Sequence, residues 1–119
     1  MNNPDKFDYI CGVLFAKLYE NFPVPIKTAD IEEFDNPEEY KFRMHSFRWL
    51  KENGLIEGNL VSDGSMNNVR ATLKGLTILK VTPESLNQKK SVGEALMDAA
   101  KIKAPDLIAE AAKSIFLRF

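Results

Sequence analysis

The apolar side chains of this chain fall into stretches of helical spacing, and the segments between them carry residues that end one element and start the next. Phe7, Ile10, Cys11, Leu14, Phe15, Leu18 and Phe22 form one broad stripe, which predicts a core helix. Asn3-Pro4-Asp5 starts it, with Asn3 as N-cap, Pro4 in the first turn and Asp5 at the positive helix end. On its other side, beside Tyr9 and Val13, Gly12 and Ala16 stand four residues apart and leave room for another helix to approach closely. Pro23 and Pro25 end the helix and hold Val24-Pro25-Ile26-Lys27 extended. Thr28 is then expected to cap a short helix through about Phe34, with an acidic surface turn as the competing expectation.

Asn36-Pro37-Glu38-Glu39 repeats the start signal, and Asn53-Gly54 supplies a left-handed stop, so a helix of about four turns lies between them. Tyr40, Met44, Phe47 and Leu50 share its core-facing sector, and Leu55-Ile56 is the extended exit. Lys41, His45, Arg48 and Glu52 fall together on a polar sector, while Phe42 and Trp49 stand on a third side. The segments from Leu55 to Val61 and from Asn67 to Thr72 flank Ser62-Asp63-Gly64-Ser65, a turn-forming cluster, and predict a β-hairpin. Glu57-Gly58-Asn59 breaks the alternation, so the first strand is expected to be short or bulged. Thr72 caps the next helix, with Leu73, Leu76, Ile78 and Leu79 facing inward, and Thr82-Pro83 closes it.

Beyond Pro83, the polar, basic link Asn87-Gln88-Lys89-Lys90 leads to Ser91-Val92-Gly93-Glu94, spaced as a capping box. A helix follows to about Lys103, with Val92, Ala95, Leu96, Ala99 and Ile102 in a narrow stripe. Ala104-Pro105-Asp106 interrupts it before a last helix carrying Leu107, Ile108, Ala111, Ile115 and Phe119. This tail is a helical hairpin or a kinked helix that needs a partner surface.

The chain has 119 residues, 45% of them hydrophobic, which fits one compact domain with a short appendage. No apolar run approaches a membrane span, and acids inside the first apolar pattern are unlike a signal peptide, so a cytoplasmic protein without membrane contact is expected. Cys11 and His45 are the only cysteine and histidine, which excludes an internal disulfide and a Cys/His zinc cluster. Cys11 reads as buried filler. No Gly-rich phosphate loop and no nucleophile motif is present, so the chain is not expected to be an enzyme, and no cofactor or metal is implied. The acids Asp30, Glu32, Glu33, Asp35, Glu38 and Glu39 read as acidic helix starts rather than a cation site.

The net charge of −1 is unevenly spread: residues 37–82 hold seven basic and five acidic side chains, whereas residues 1–36 hold three and seven. The basic excess sits in the second helix and hairpin and is small for a nucleic-acid domain.

Two motifs carry a family resemblance over about residues 5–82. Phe47-x-x-Leu50-x-x-x-Gly54-Leu55-Ile56 looks like the end of a recognition helix leading into a wing strand. Thr72-x-x-Gly75-x-x-x-Leu79 is similar to the post-wing helix of MarR- and PadR-like regulators. The chain thus resembles a winged helix-turn-helix domain: mainly α with a small β-hairpin, residues 1–82 forming the winged helix and residues 83–119 a C-terminal helical extension.

The resemblance implies a bacterial- or phage-type transcription regulator that binds duplex DNA as a homodimer. Carried over by position, Lys41, His45, Ser46 and Arg48 would enter the groove, and Asn67, Asn68 and Arg70 would meet phosphate along the wing. The alternative for Lys41 and Arg48 is a solvated face paired with Glu38 and Glu52. The wing departs from the pattern, with Asp63 at its tip and only Arg70 against Glu57 and Asp63. The tail, with Phe116, Leu117 and Phe119, is the expected dimer surface. Phe42 and Trp49 are either covered by the tail folding back or are anchors for another protein, which gives a second reading: a winged-helix interaction adaptor with little DNA binding.

Overall fold

The computed structural model describes residues 2–82 and 90–117. The link residues 83–89, Arg118 and Phe119, including the expected helix stop at Pro83, lie outside the described residues. The protein is mainly helical with a small two-stranded antiparallel sheet. The helices are α1 (Asn3–Asn21), α2 (Tyr40–Glu52), α3 (Leu73–Leu79), α4 (Val92–Lys101) and α5 (Pro105–Phe116), and the strands are β1 (Ile56–Leu60) and β2 (Met66–Ala71).

α1 is the centre of the molecule. Every residue from Ile10 to Ala16 is buried, because α4 and α5 cover one side while α2 and β2 cover the other. The expected close approach at Gly12 is present: a β-carbon there would lie 2.4 Å from Ile108 Cγ2 and 2.8 Å from the Ile108 carbonyl oxygen. Its N-cap is Asn2, one residue before the expected Asn3, with the Asn2 side chain accepting from the Asp5 amide at 2.9 Å. The bond goes to the third helical residue because Pro4, the second, has no N–H to donate.

The expected helix from Thr28 to Phe34 is instead two 3₁₀ turns, Thr28–Asp30 and Glu32–Phe34. Thr28 caps neither. It is 2% exposed, and its hydroxyl accepts from the Met66 amide at 2.9 Å, tying the segment to β2. Just before it, Ile26 bridges Val69 through bonds of 2.9 and 2.8 Å, so the extended Pro-flanked segment lies antiparallel beside β2.

Asn36 caps a 3₁₀ turn, Pro37–Glu39, which runs into α2. α2 ends in a Schellman arrangement: Gly54 takes a φ of +74°, its amide donates to Lys51, and the Leu55 amide donates to the Leu50 carbonyl at 3.0 Å. Leu50 and Leu55, the apolar pair that accompanies this motif, are both fully buried. In the hairpin, the Gly64 amide closes the turn on the Val61 carbonyl at 3.0 Å, with Gly64 at a φ of +88°. The expected irregularity is there, but the extra residue belongs to β2. Glu57 pairs with Arg70 and Asn59 with Asn67, which leaves Asn68 and Val69 opposite Gly58. Asn68 accommodates the bulge at a φ of +53°, a conformation asparagine tolerates, and Val69 is thereby free to pair with Ile26.

α3 is clasped to the end of α2. The Thr72 hydroxyl accepts from the Gly75 amide at 3.1 Å and donates to the Gly54 carbonyl at 2.6 Å. A β-carbon on Gly75 would lie 2.3 Å from the Leu55 carbonyl oxygen. The two motifs that carry the family resemblance are therefore physically joined. Leu73, expected inward, is exposed at the start of α3, because Thr72 rather than Leu73 faces the clasp.

In the tail, the capping box is complete: Glu94 N donates to Ser91 Oγ at 3.1 Å and Ser91 N to Glu94 Oε1 at 3.2 Å. α4 and α5 form a helical hairpin that folds back on α1, with Val92, Leu96, Ala99, Ile108, Ala112 and Ile115 joining the same core as the first 82 residues. Ile102 and Leu107, expected in the stripes, flank the turn and are exposed.

Candidate nucleic-acid interface

On α2, Lys41, His45 and Arg48 are spaced i, i+4 and i+7 and all three are exposed. Neither Lys41 nor Arg48 forms an ion pair among the described residues, so the expected alternative of pairs with Glu38 and Glu52 is not what the structure has. Glu39 is held instead by Lys6 at 3.2 Å. Lys51, exposed three residues beyond Arg48, extends the basic stripe, and Glu52 is the exposed acid beside it. Lys51 was hidden in the sequence because its angular position matches the core-facing sector of α2.

Ser46 does not belong to this face. It is 5% exposed, and its hydroxyl donates to the Phe42 carbonyl at 2.8 Å, the back-bond a serine makes inside a helix. Arg43 also turns inward, its guanidinium 5.9 Å from the Phe34 ring centre, and burial pulls its pKa below the usual arginine range.

The hairpin presents less charge than its sequence suggests. The β1–β2 register sets Arg70 opposite Glu57, and Nε of Arg70 donates to Glu57 Oε1. Its Nη1 also reaches the Pro23 carbonyl at 3.4 Å. Asn68 is exposed on the bulge and Asn67 is half-buried beside it. At the tip, Asp63 accepts from both the amide and the hydroxyl of Ser65, at 3.0 and 2.6 Å, which holds its carboxyl below the usual range. The tip folds back on α2: a β-carbon at Gly64 would lie 3.1 Å from the Tyr40 ring.

The third side of α2 meets the chain termini. Trp49 packs edge-on against Phe7, ring centres 5.4 Å apart, and against Phe116 at 6.2 Å. Phe42 lies half-buried beneath the Lys6 ammonium at 5.4 Å. The tail thus covers part of the Phe42 and Trp49 side, as one of the two expectations had it, yet Trp49 keeps 44% of its surface exposed and Leu117, the residue after Phe116, keeps 83%. Phe116, expected on a dimer surface, is half-buried within the chain itself, and Phe119 lies outside the described residues.

Elsewhere, Cys11 is fully buried, and burial, with the charge of Asp8 second, pushes its thiol well above the ordinary value. Among the described residues no group of His, Cys, Asp and Glu is arranged to hold a metal ion, and no helix is long and apolar enough to cross a membrane. The chain matches no protein-family model, no curated protein and no solved structure.

Proposed function

We propose that this protein is a winged-helix DNA-binding protein, a small transcription regulator acting as a homodimer in the cytoplasm, with α2 as the recognition helix and the hairpin as the wing. The observation that carries this reading is the unpaired, outward stripe of Lys41, His45 and Arg48 on a helix whose opposite face is locked to the hairpin and α3. The order of elements supports it: a core helix, an extended segment beside the sheet, a short helical turn region, α2 and then the hairpin. Lysine and arginine at such positions meet phosphate, and arginine reads guanine edges. The apolar faces of α4 and α5 are spent on α1, so a dimer would use what remains exposed around Leu107 and Leu117.

A second reading, the protein-interaction adaptor, rests on a different observation: Trp49 and Leu117 are each exposed while Arg70, the hairpin's cation, is held by Glu57. Fluorescence anisotropy with a generic duplex across a salt series, beside a mass measurement of the free protein, separates the two. Lys41, Arg48 and Lys51, three exposed cations on α2, predict a log–log salt slope of about −3 for a monomer and about −5 for a dimer. A monomer that shows no binding at low salt would sink the DNA reading and leave the adaptor.

A further inference from the structure

A cavity of about 400 Å³ opens where α1, the Glu32–Phe34 turn, α4 and the turn after α4 meet. Its size falls within the range of small-molecule sites. The floor is apolar, built from Val13, Ala16, Met97, Ala100 and Ile108, with the ring of Tyr9 as one wall. Glu33 stands at its edge, and Oε2 of Glu33 is buried with no hydrogen-bond partner among the described residues. A buried carboxylate oxygen without a donor is costly, and a donor in the cavity would relieve that cost once the Glu33 side chain turns toward it. Glu33 is also the charge that, after burial, raises the Tyr9 phenol above its ordinary pKa, which sets a negative group beside a neutral aromatic wall.

The rim carries Lys17, Lys101 and Lys103 as well as Glu20 and Glu32, so its outer charges nearly cancel and give a polyvalent ion little net attraction. Lys101 and Lys103 are exposed and keep their water, whereas Glu33 has lost it on one oxygen. Pairing yields most at the desolvated group. We propose that this cavity binds a small primary or secondary amine with an apolar, ring-sized body: the ring lies on the Val13, Ala16 and Ala100 floor and the ammonium donates to Glu33. The proposal stands whether or not α2 binds DNA.

Phenethylamine, titrated into the full-length protein and followed by two-dimensional amide NMR, is the test, with 2-phenylethanol and 3-phenylpropionate as neutral and anionic counterparts. Saturable shifts at Tyr9, Ala16, Met97 and Ala100 for the amine, at concentrations where the alcohol and the acid give none, are expected. Glu33→Gln is expected to weaken the amine at least about tenfold, the value of a charge-assisted hydrogen bond. Ala100→Trp, which fills the cavity from the surface of α4, is expected to abolish binding while far-UV circular dichroism stays unchanged. Equal binding of 3-phenylpropionate, unchanged affinity in Glu33→Gln, or shifts confined to Ile10 and Phe34 on the far side of Glu33 would each overturn the proposal.

Discussion

The α2–hairpin–α3 half and the α1–α4–α5 half share one core but are held together by different means. In the first, side chains and backbone are stitched mainly by directional bonds, with one close approach at Gly75 beside them: Gly54 turns the chain, Thr72 reaches back to its carbonyl, and Thr28 grips Met66. In the second, contact is by missing atoms. Gly12 admits Ile108 and Ala112 of α5, and Gly93 admits the ring of Tyr19. The difference separates orientation from proximity: hydrogen bonds fix the direction in which α2 presents its outer face, whereas small residues fix only how near the tail helices lie to α1.

Adding a single methyl group to each half is the strongest way to break the contrast. Gly12→Ala and Gly75→Ala both gain helix propensity worth roughly 1 kcal/mol, yet each drives a β-carbon to within 2.4 Å and 2.3 Å of a neighbour. Both are expected to lose about 2–3 kcal/mol in urea unfolding, the overpacking term exceeding the propensity gain. Hydrogen exchange should then differ: Gly12→Ala loses protection first in α5, and Gly75→Ala first in the hairpin and α3. Loss of protection in the same amides for both variants would show that the two halves open as one unit.

Legibility follows the same division. Asn53-Gly54, Thr72-x-x-Gly75 and the Ser91–Glu94 box are local, since each partner lies within five residues, and all three are in the structure as the sequence predicts. What the sequence did not disclose depends on partners far along the chain. Thr28 has the character of a cap, but it bonds a strand 38 positions away. Arg70 reads as a free cation until the bulged register places it against Glu57. Ser46 is a different case: at about 100° per residue it falls between Phe42 and Leu50, away from Lys41, His45 and Arg48, so its burial against the Phe42 carbonyl was already in the spacing. The tail's stripes were evident, and Gly12 marked where a helix would come close, but nothing local said that the helix would be α5 of the same chain.

A smaller effect tests whether the tail is as well fitted as the hairpin half. α4 ends as α2 does, in a Schellman arrangement: Lys103 N donates to the Ala100 carbonyl at 3.1 Å and Ala104 N to the Ala99 carbonyl at 3.4 Å. Where α2 has Gly54 at this position, α4 has Lys103 at a φ of +52°, which costs a side-chain residue about 1 kcal/mol. Lys103→Gly is therefore expected to stabilise the protein by about 1 kcal/mol in thermal or urea unfolding, and Gly54→Ala to destabilise it by a similar amount. If Lys103→Gly brings no gain, the lysine side chain contributes packing at the rim of the α1–α4 cavity that offsets its backbone strain.

The smallest effect bears on function. Lys41 and Arg48 are single exposed charges, so replacing either by alanine should change stability by less than about 0.5 kcal/mol. On a DNA-binding protein each loss should still lower the salt slope by about 1 and weaken binding several-fold at low salt. Arg70→Ala should do less, because its guanidinium is already held by Glu57. Glu57→Gln reverses the logic: it frees Arg70 without touching α2, and if the hairpin lies along phosphate the affinity should rise and the slope steepen. A Glu57→Gln variant with unchanged affinity, beside a weakened Arg48→Ala, would confine DNA contact to the α2 face and leave the hairpin as a brace whose tip, packed on Tyr40, holds that helix in place.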